Sequence, residues 1–355
     1  MKKNILIATG GSGGHIVPAI VFYELLKKKF NLSISSDSRG ISFIDYKKYD
    51  LTLIETPKIF VNLFMLPINM IIVFILTIKS IYFLKKKKID LILTTGGYAP
   101  VPVCLACIIL RKKLYIYEPN FVIGRSNKFF LVHCHKIFCH TKKIKNYPSK
   151  YKKKMHVIEP IVRKVFYKKS RVNKKKKFTI MVIGGSQGAK VFDKCVHKVF
   201  QKISKKSDIK VIHQTKLKNI NYLKKFYKNH RIVSKVFNYD TNFINLIKDC
   251  DFCITRAGSS TLAELSLLNI PYLVVPLPNS KDNHQYENAK FFKKKNICWI
   301  LEERKLNINK LYYILDNCIK KRKKFFTKKK FLINHNNLNI WNYQKKILTK
   351  EFYER

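Results

Sequence analysis

Acidic residues are scarce in this sequence: 21 Asp and Glu stand against 72 Lys and Arg in 355 residues, a formal net charge of +51. Such an excess ordinarily points to nucleic acid. Here the basic residues fall in runs on almost every polar segment, and no aromatic-interleaved basic stripe, RRM core or zinc finger accompanies them. No nucleic-acid partner is therefore expected. A charge of this sign draws a protein to an anionic membrane surface instead, at about 1 kcal/mol per basic group close to the bilayer. Also missing is an unbroken apolar run of the roughly 20 residues that a membrane span needs. The most apolar stretch, 59–84, is interrupted by Asn62, Pro67, Asn69, Thr77 and Lys79 and followed by Lys85 to Lys88. It reads as a helix that either belongs to the core or dips its apolar face into the lipid interface. No secretory signal is expected, because MKKNILIATGG reads as a strand running straight into glycines. Nine cysteines, an odd count without such a signal, fit a reducing cytoplasm. Cys104/Cys107 and Cys250/Cys253 have two-residue spacing but lie in apolar segments with no turn between the pair, which argues against zinc. No Asp-x-Asp pair stands in a donor-loop context, so no tightly bound metal or other cofactor is expected.

What is present is a repeated pattern. The length suffices for two α/β domains, and short apolar strands keep running into small residues and then into helices. Ile5 to Ala8 leads into Gly10-Gly11-Ser12-Gly13-Gly14-His15 and a helix from Ile16 to Leu26. This loop is neither a Walker loop nor Gly-x-Gly-x-x-Gly with a downstream acid. His15, at its mouth, is placed to act as a base or to touch a sugar. Leu91 to Thr94 ends in Thr95-Gly96-Gly97-Tyr98, and Leu114 to Tyr117 ends in Glu118-Pro119-Asn120. After a lysine-rich segment, 164–177, the pattern restarts. Phe178 to Ile183 meets Gly184-Gly185-Ser186-Gln187-Gly188-Ala189, and Val211 to Thr215 closes another strand. The richest stretch is Thr255 to Lys290. A strand ending at Thr255 opens through Ala257-Gly258-Ser259-Ser260-Thr261 into a helix expected from Leu262 onward. A helix start presents unpaired N–H groups and the positive end of its dipole, a seat for phosphate. Glu264 either caps its own helix or grips the hydroxyls of a ribose. A second strand, 271–276, then runs into Asp282-Asn283-His284-Gln285 and another helix. Two successive crossings of this polarity suit a nucleotide and its attached sugar along one sheet edge.

Taken in order, these pieces resemble the MurG family of glycosyltransferases. The resemblance is carried by Gly10 to His15 with Pro18, Thr95 to Tyr98, Glu118 and Asn120 with Gly124 and Asn127, Gly184 to Ala189, His213-Gln214-Thr215, Arg256-Ala257-Gly258 with Thr261 and Glu264, and Asp282 with Gln285, Asn288 and Ala289. It implies an α/β fold in the GT-B arrangement, two Rossmann-like doubly wound domains facing a cleft. Residues 1–163 would form the acceptor and membrane-facing domain, with a C-terminal helix, 336–355, packing back on it, and residues 164–335 the UDP-sugar domain. The implied reaction is an inverting transfer of N-acetylglucosamine from UDP-N-acetylglucosamine to the 4-hydroxyl of the muramyl sugar of undecaprenyl-linked lipid I. The implied location is the cytoplasmic face of the bacterial cell membrane, as a peripheral protein.

Carried over residue by residue, the resemblance makes His15 the first candidate base and has Ser12, Gly13, Gly14 and Asn120 line the meeting place of sugar and acceptor. Ser186 would contact the donor's diphosphate or nucleoside region. Ser259, Ser260 and Thr261, with Leu262 and Ala263 behind them, would bind phosphate, and Arg163 would be a further phosphate ligand. Glu264 would hold the ribose, Gln285, with His284, would orient the glucosamine hydroxyls, and Asn238 would stand near the uracil. This sequence departs from the family pattern at Tyr117-Glu118-Pro119-Asn120, at Ala99-Pro100, at Lys216 and at Glu159 to Arg163. Rival readings are a UDP-sugar 2-epimerase or a diacylglycerol glycosyltransferase on the same architecture, and a non-enzymatic basic protein.

Overall fold

The computed structural model describes residues 2–45, 47–57, 64–167, 177–184, 190–238, 243–248, 250–295, 298–322 and 337–353. The chain divides into two compact units, residues 1–164 with 339–355, and residues 165–338.

In the first unit, the strands β1 (Asn4–Ala8), β2 (Asn31–Ser36), β3 (Leu51–Leu53), β4 (Leu91–Thr94), β5 (Lys113–Glu118), β6 (Lys136–Cys139) and β7 (Met155–Val157) form one sheet in the order β3-β2-β1-β4-β5-β6-β7. Every pairing is parallel, with Leu6 opposite both Ser33 and Ile92. A parallel sheet is covered on both faces, so its strands are apolar on both sides rather than alternating. Ile5, Leu6, Ile7 and Ala8 are accordingly all buried. The helices are α1 (Gly13–Leu26), α2 (Ser38–Ile41), α3 (Leu66–Lys86), α4 (Val101–Ile109) and α5 (Arg125–Phe130). Leu6, Ile92, Leu114 and Ile116 pack against Val103, Cys107 and Phe130. All nine cysteines are free thiols, eight of them buried. Burial pushes the thiols of Cys104 and Cys107 up, so both stay protonated at neutral pH.

The second unit repeats the plan. Its strands are β8 (Phe178–Ile183), β9 (Ile209–Gln214), β10 (Val233–Phe237), β11 (Phe252–Thr255), β12 (Tyr272–Val274) and β13 (Cys298–Ile300), in the all-parallel order β10-β9-β8-β11-β12-β13. The helices α6 (Lys190–Ser204), α7 (Leu217–Asn229), α8 (Phe243–Lys248), α9 (Ser259–Leu267), α10 (His284–Lys295) and α11 (Ile308–Lys320) complete it. Ile180, Val182 and Ile254 meet Val196, Phe200, Leu223, Leu311 and Leu315 in its core. The two Rossmann-like doubly wound domains expected from the sequence are both present.

The last helix, α12 (Asn337–Tyr353), packs on the first unit. Phe352, fully buried, lies edge-on against Tyr115 at 4.8 Å, and Lys136 Nζ meets Glu351 Oε2 at 2.7 Å. Lys3 Nζ donates to the carbonyls of Phe352 and Tyr353 at 3.0 and 3.2 Å, a cation at the negative end of the helix dipole.

Several boundaries differ from the sequence expectation for local reasons. Pro67 does not interrupt the apolar stretch but starts α3, because proline costs nothing in a helix's first turn. The opening of that stretch, 59–63, and 168–176 of the lysine-rich segment lie outside the described residues, whereas Lys164–Tyr167 form a 3₁₀ turn. α1 begins at Gly13 rather than Ile16. α9 begins at Ser259 rather than Leu262, since Gly258 takes the extended cap conformation (φ −69°, ψ 127°).

α3 turns its smaller and more polar side inward. Its buried residues are Asn69, Val73, Thr77, Ser80 and Leu84, while Ile68, Met70, Ile71, Phe74, Ile75, Ile78 and Tyr82 are exposed. The inward hydroxyls are satisfied within the helix: Thr77 Oγ1 donates to Val73 O and Ser80 Oγ to Leu76 O. Among the described residues, α3 is the one helix long and apolar enough to cross a membrane by length and composition, with 22% of its apolar window buried.

Candidate functional site

In both sheets strand order reverses beside the first strand, between β1 and β4 and between β8 and β11. At such a switch point, successive connections leave toward opposite faces and open a crevice at the strands' carboxyl ends. The candidate residues gather at these two edges, and each unit has its own set.

In the first unit, Gly10 and Gly11 follow β1, and Thr95, Gly96 and Gly97 follow β4. A Cβ on Gly10 would come within 2.4 Å of Ala99 Cβ, so only glycine lets the two loops approach this closely. Gly97, at φ +88°, leaves room for the His15 ring, which a Cβ would meet at 3.4 Å. His15 Nδ1 lies 2.8 Å from the carbonyl of Thr95. A carbonyl can only accept, so Nδ1 carries the hydrogen and Nε2 of the neutral ring is the basic nitrogen. Ser12 caps α1 in the extended conformation without a side-chain capping bond, leaving the first N–H groups of the helix, at Gly13 and Gly14, turned to the loop mouth. Asn120 is fixed from beneath by Glu118, which is 1% exposed. Glu118 Oε1 accepts from Asn120 N and Nδ2, both at 3.0 Å, and Oε2 from Gly124 N at 2.8 Å and Asn127 Nδ2 at 2.9 Å. Arg163 is half-buried in the segment between β7 and the 3₁₀ turn at Lys164.

The sequence reading missed Asp37. It stands just past β2, is 1% exposed, and accepts from Gly11 N at 2.8 Å, Gly40 N at 3.0 Å and the Arg39 guanidinium at 2.6 Å. The Arg39 guanidinium in turn lies over the Tyr98 ring at 4.9 Å. A downstream acid therefore does follow the glycine loop, but its oxygens are taken up by protein N–H groups. The signal was its place at the end of the second strand, hidden because NLSISS is too polar to read as a buried strand.

In the second unit, Ser259, Ser260 and Thr261 form the first turn of α9, with Leu262 and Ala263 buried behind them. Glu264 belongs to the next turn and is 2% exposed, not a first-turn surface charge. Gln285 and Asn288, on α10, hold the turn beneath α9. Gln285 Oε1 accepts from Ala257 N at 3.2 Å and Leu277 N at 3.0 Å, and Asn288 Nδ2 donates to Ala257 O at 3.1 Å. With its oxygen so engaged, the Gln285 amide has a fixed orientation and its NH₂ is the end available to acceptors such as sugar hydroxyls. α10 is entered through two successive left-handed residues, Asp282 (φ 52°) and Asn283 (φ 54°). Such conformations cost roughly 1–3 kcal/mol each and cluster at ligand sites. His284 Nδ1 is bound to Lys281 O at 2.8 Å. Arg256 is committed to the fold, donating to Val275 O at 3.1 Å and pairing with Glu303 at 2.6 Å. Asn238 follows β10 and donates from Nδ2 to Thr215 O at 3.0 Å. Ser186 lies in 185–189, outside the described residues. Among the described residues, no cluster of three or more His, Cys, Asp or Glu is placed to hold a metal ion.

The structure thus brings Ser12, Gly13, Gly14 and His15 together at one edge, with Asn120 on the loop after β5. It brings Ser259 to Glu264 together with Gln285 at the other. Comparison with known proteins gives the same division. Residues 5–139 match the glycosyltransferase family 28 N-terminal domain and residues 179–339 the glycosyltransferase family 28 C-terminal domain. The UDP-N-acetylglucosamine–N-acetylmuramyl-(pentapeptide) pyrophosphoryl-undecaprenol N-acetylglucosamine transferase of Pelagibacter ubique is 43% identical over 347 residues, 96% of each chain. The protein of the same name from Rickettsia canadensis is 34% identical over 318 residues, 88% of this chain and 89% of its own. Among solved structures, MurG of Acinetobacter baumannii aligns with a TM-score of 0.73 at 19% identity, over 98% of this chain and 99% of its own. A UDP-GlcNAc 2-epimerase of Neisseria meningitidis bound to UDP-GlcNAc aligns at 0.68 and 14% identity, over 99% of this chain and 100% of its own. At these identities the structural likenesses speak for the fold alone.

Proposed function

The chain belongs to the MurG branch of glycosyltransferase family 28, and from that premise we infer that it transfers N-acetylglucosamine from UDP-N-acetylglucosamine to undecaprenyl-linked lipid I, forming lipid II for peptidoglycan. The 4-hydroxyl of the muramyl sugar attacks the anomeric carbon as UDP leaves, with inversion. The observation that carries the reading is the β11–α9 crossing, where a helix start is clamped by Gln285 and Asn288.

UDP gains charge as the glycosidic bond breaks, so donors aimed at the diphosphate strengthen toward the transition state and raise turnover. The first-turn N–H groups and hydroxyls of Ser259, Ser260 and Thr261 supply those donors, with Arg163 as an added cation and no tightly held metal. Ser186 contacts the donor's diphosphate or nucleoside region. Glu264 grips the ribose diol; a carboxylate already shielded from water loses little hydration on meeting it. Gln285 directs its NH₂ to the glucosamine hydroxyls, and Asn238 stands at the uracil end. In the first unit, Nε2 of His15 takes the proton of the attacking hydroxyl, while Ser12, Gly13, Gly14 and Asn120 line the meeting place of sugar and acceptor. A positioned base contributes about 10²–10⁴-fold, so leaving-group stabilisation matters at least as much.

The donor domain of this reading is 164–335 and the acceptor domain 1–163 completed by the last helix. The exposed apolar face of α3, followed by Lys85 to Lys88, seats the protein peripherally on an anionic membrane at the cytoplasmic face, and the basic excess serves that surface rather than nucleic acid. The test is transfer of labelled N-acetylglucosamine from its UDP ester to lipid I. Product on the lipid supports the reading; donor turnover with no glycolipid, or conversion of the free sugar nucleotide to its 2-epimer, would overturn it.

A further inference from the structure

On one side of the switch point in the second unit, β8, β9 and β10 lie side by side, and the turn after β9, which holds the end of β10, is anchored by one carboxylate that the mechanism does not use. Asp193 sits in the first turn of α6. Its Oδ2 accepts from Thr215 Oγ1 at 2.8 Å and Asn219 Nδ2 at 2.7 Å, and its Oδ1 lies 3.3 Å from His213 Nε2. His213 is fully buried and its Nδ1 is 2.8 Å from the hydroxyl of Tyr227, also fully buried. The turn so anchored holds the end of β10. Thr215 N donates to Phe237 O at 2.8 Å, Asn238 Nδ2 to Thr215 O at 3.0 Å, and Gln214 Nε2 to Asn238 O at 3.3 Å. Burial pushes the Asp193 carboxyl up, but the His213 ring beside it and the Asn219 and Thr215 donors outweigh this and hold the group below its ordinary value. It is therefore a carboxylate at working pH, able to serve all its donors at once.

We propose that Asp193 is a positioning residue for the nucleoside end of the donor, acting through Thr215 and Asn219 on the backbone at Phe237 and Asn238. The proposal rests on the reading of this unit as the donor domain. An Asp193→Ala change removes both oxygens, so Thr215 and Asn219 lose the acceptor they share. The 214–215 turn then loses its anchor, and the end of β10 moves with it. A base read from that edge is bound equally in the ground and transition states, so the loss falls on KM rather than kcat.

The test is UDP titration by calorimetry together with steady-state kinetics for Asp193→Ala and Thr215→Val. In Asp193→Ala, UDP affinity falls and donor KM rises about tenfold, with kcat and acceptor KM within about twofold of wild type, as expected for uniform binding. Thr215→Val, which removes one hydroxyl donor, shows the same pattern at about threefold. Unchanged UDP affinity in a folded Asp193→Ala protein overturns the proposal while leaving the donor domain standing. A fall in kcat alone also overturns it. If Asp193→Ala does not fold, Thr215→Val decides in the same terms. Wild-type protein that binds no UDP overturns the reading of the domain itself, and the proposal with it.

Discussion

Three carboxylates spend their oxygens on protein donors near strand ends: Asp37, buried, on the glycine loop, Glu118, buried, on the loop of Asn120, and Asp193, half-buried in the first turn of α6, on the 214–215 turn. Each fixes a neighbour, so the groups that touch substrate need not be charged themselves. Glu264 is the exception in the functional reading, and Glu264→Ala is expected to weaken UDP-N-acetylglucosamine binding by about 10- to 100-fold, the worth of hydrogen bonds to a charged acceptor, with lipid I binding unchanged. Equal loss for both substrates would remove its ribose role. For His15→Ala, turnover should drop by about 10²-fold or more with donor affinity kept; turnover at the wild-type rate would disqualify Nε2 as the base. The sequence displayed His15 and Glu264 through their neighbours, a glycine loop and a helix start. It hid Asp37 because the strand before it is too polar to read as buried, and Asp193 because its partners Thr215 and Asn219 lie more than twenty residues away, which no local spacing reveals. A pH dependence follows from His197, 3% exposed beside Tyr222 and Phe226, whose pKa burial holds below 6.5. The unfolded chain binds a proton that the fold rejects, so stability falls as pH drops through 6.5 and levels off below the folded value. His135, lowered by burial and by Lys113 and Lys136, adds the same slope in the first unit. Melting temperatures from about pH 8 to about pH 5.5 should decline in wild type and decline less in His197→Phe; an identical slope in both would assign the effect elsewhere.

Among the elements, central parallel strands were legible because burial on both faces makes them continuous apolar runs. β4 and β8 match the expected bounds. Polar or short edge strands such as β2, β3, β10 and β13 were not read, since pairing rather than composition makes them strands. α3 was legible as a helix, but its facing was left open between core and lipid interface, because periodicity alone puts an apolar stripe inward. Here Thr77 and Ser80 face in and bond their own backbone, and the large side chains face out. α4 packs against this helix, and its exposed face gains about 1.5–3 kcal/mol per large side chain on leaving water. Phe74→Asp with Ile78→Asp should therefore cut sedimentation with anionic vesicles more than tenfold while leaving the melting temperature within about 2 °C. The opposite result, unchanged vesicle binding with a large loss of stability, would make the exposed face a structural one.

At the scale of the whole molecule, one plan is used twice, and the chain crosses back at its end so that α12 completes the unit in which it began. The sequence showed the repetition through the glycines after β1 and β8. It could not show what α12 contributes, because a helix of low overall apolarity discloses its partner only through the few residues it buries. Trp341, Leu348 and Phe352 are those residues, at 4%, 0% and 0% exposure. At about 1.5–3 kcal/mol each, their burial amounts to roughly 5–9 kcal/mol, comparable with the 5–15 kcal/mol that holds a typical domain together. The Lys136–Glu351 pair and the Lys3 cap add to that figure. Removal of residues 337–355 should therefore leave the first unit marginal, unfolding at far lower urea, while the second unit keeps its own transition and its affinity for UDP. Urea titration followed by UDP calorimetry on the truncated chain measures both. Loss of UDP binding together with the first transition would mean that the two units fold as one; retention of both transitions would mean that α12 only decorates the sheet it covers.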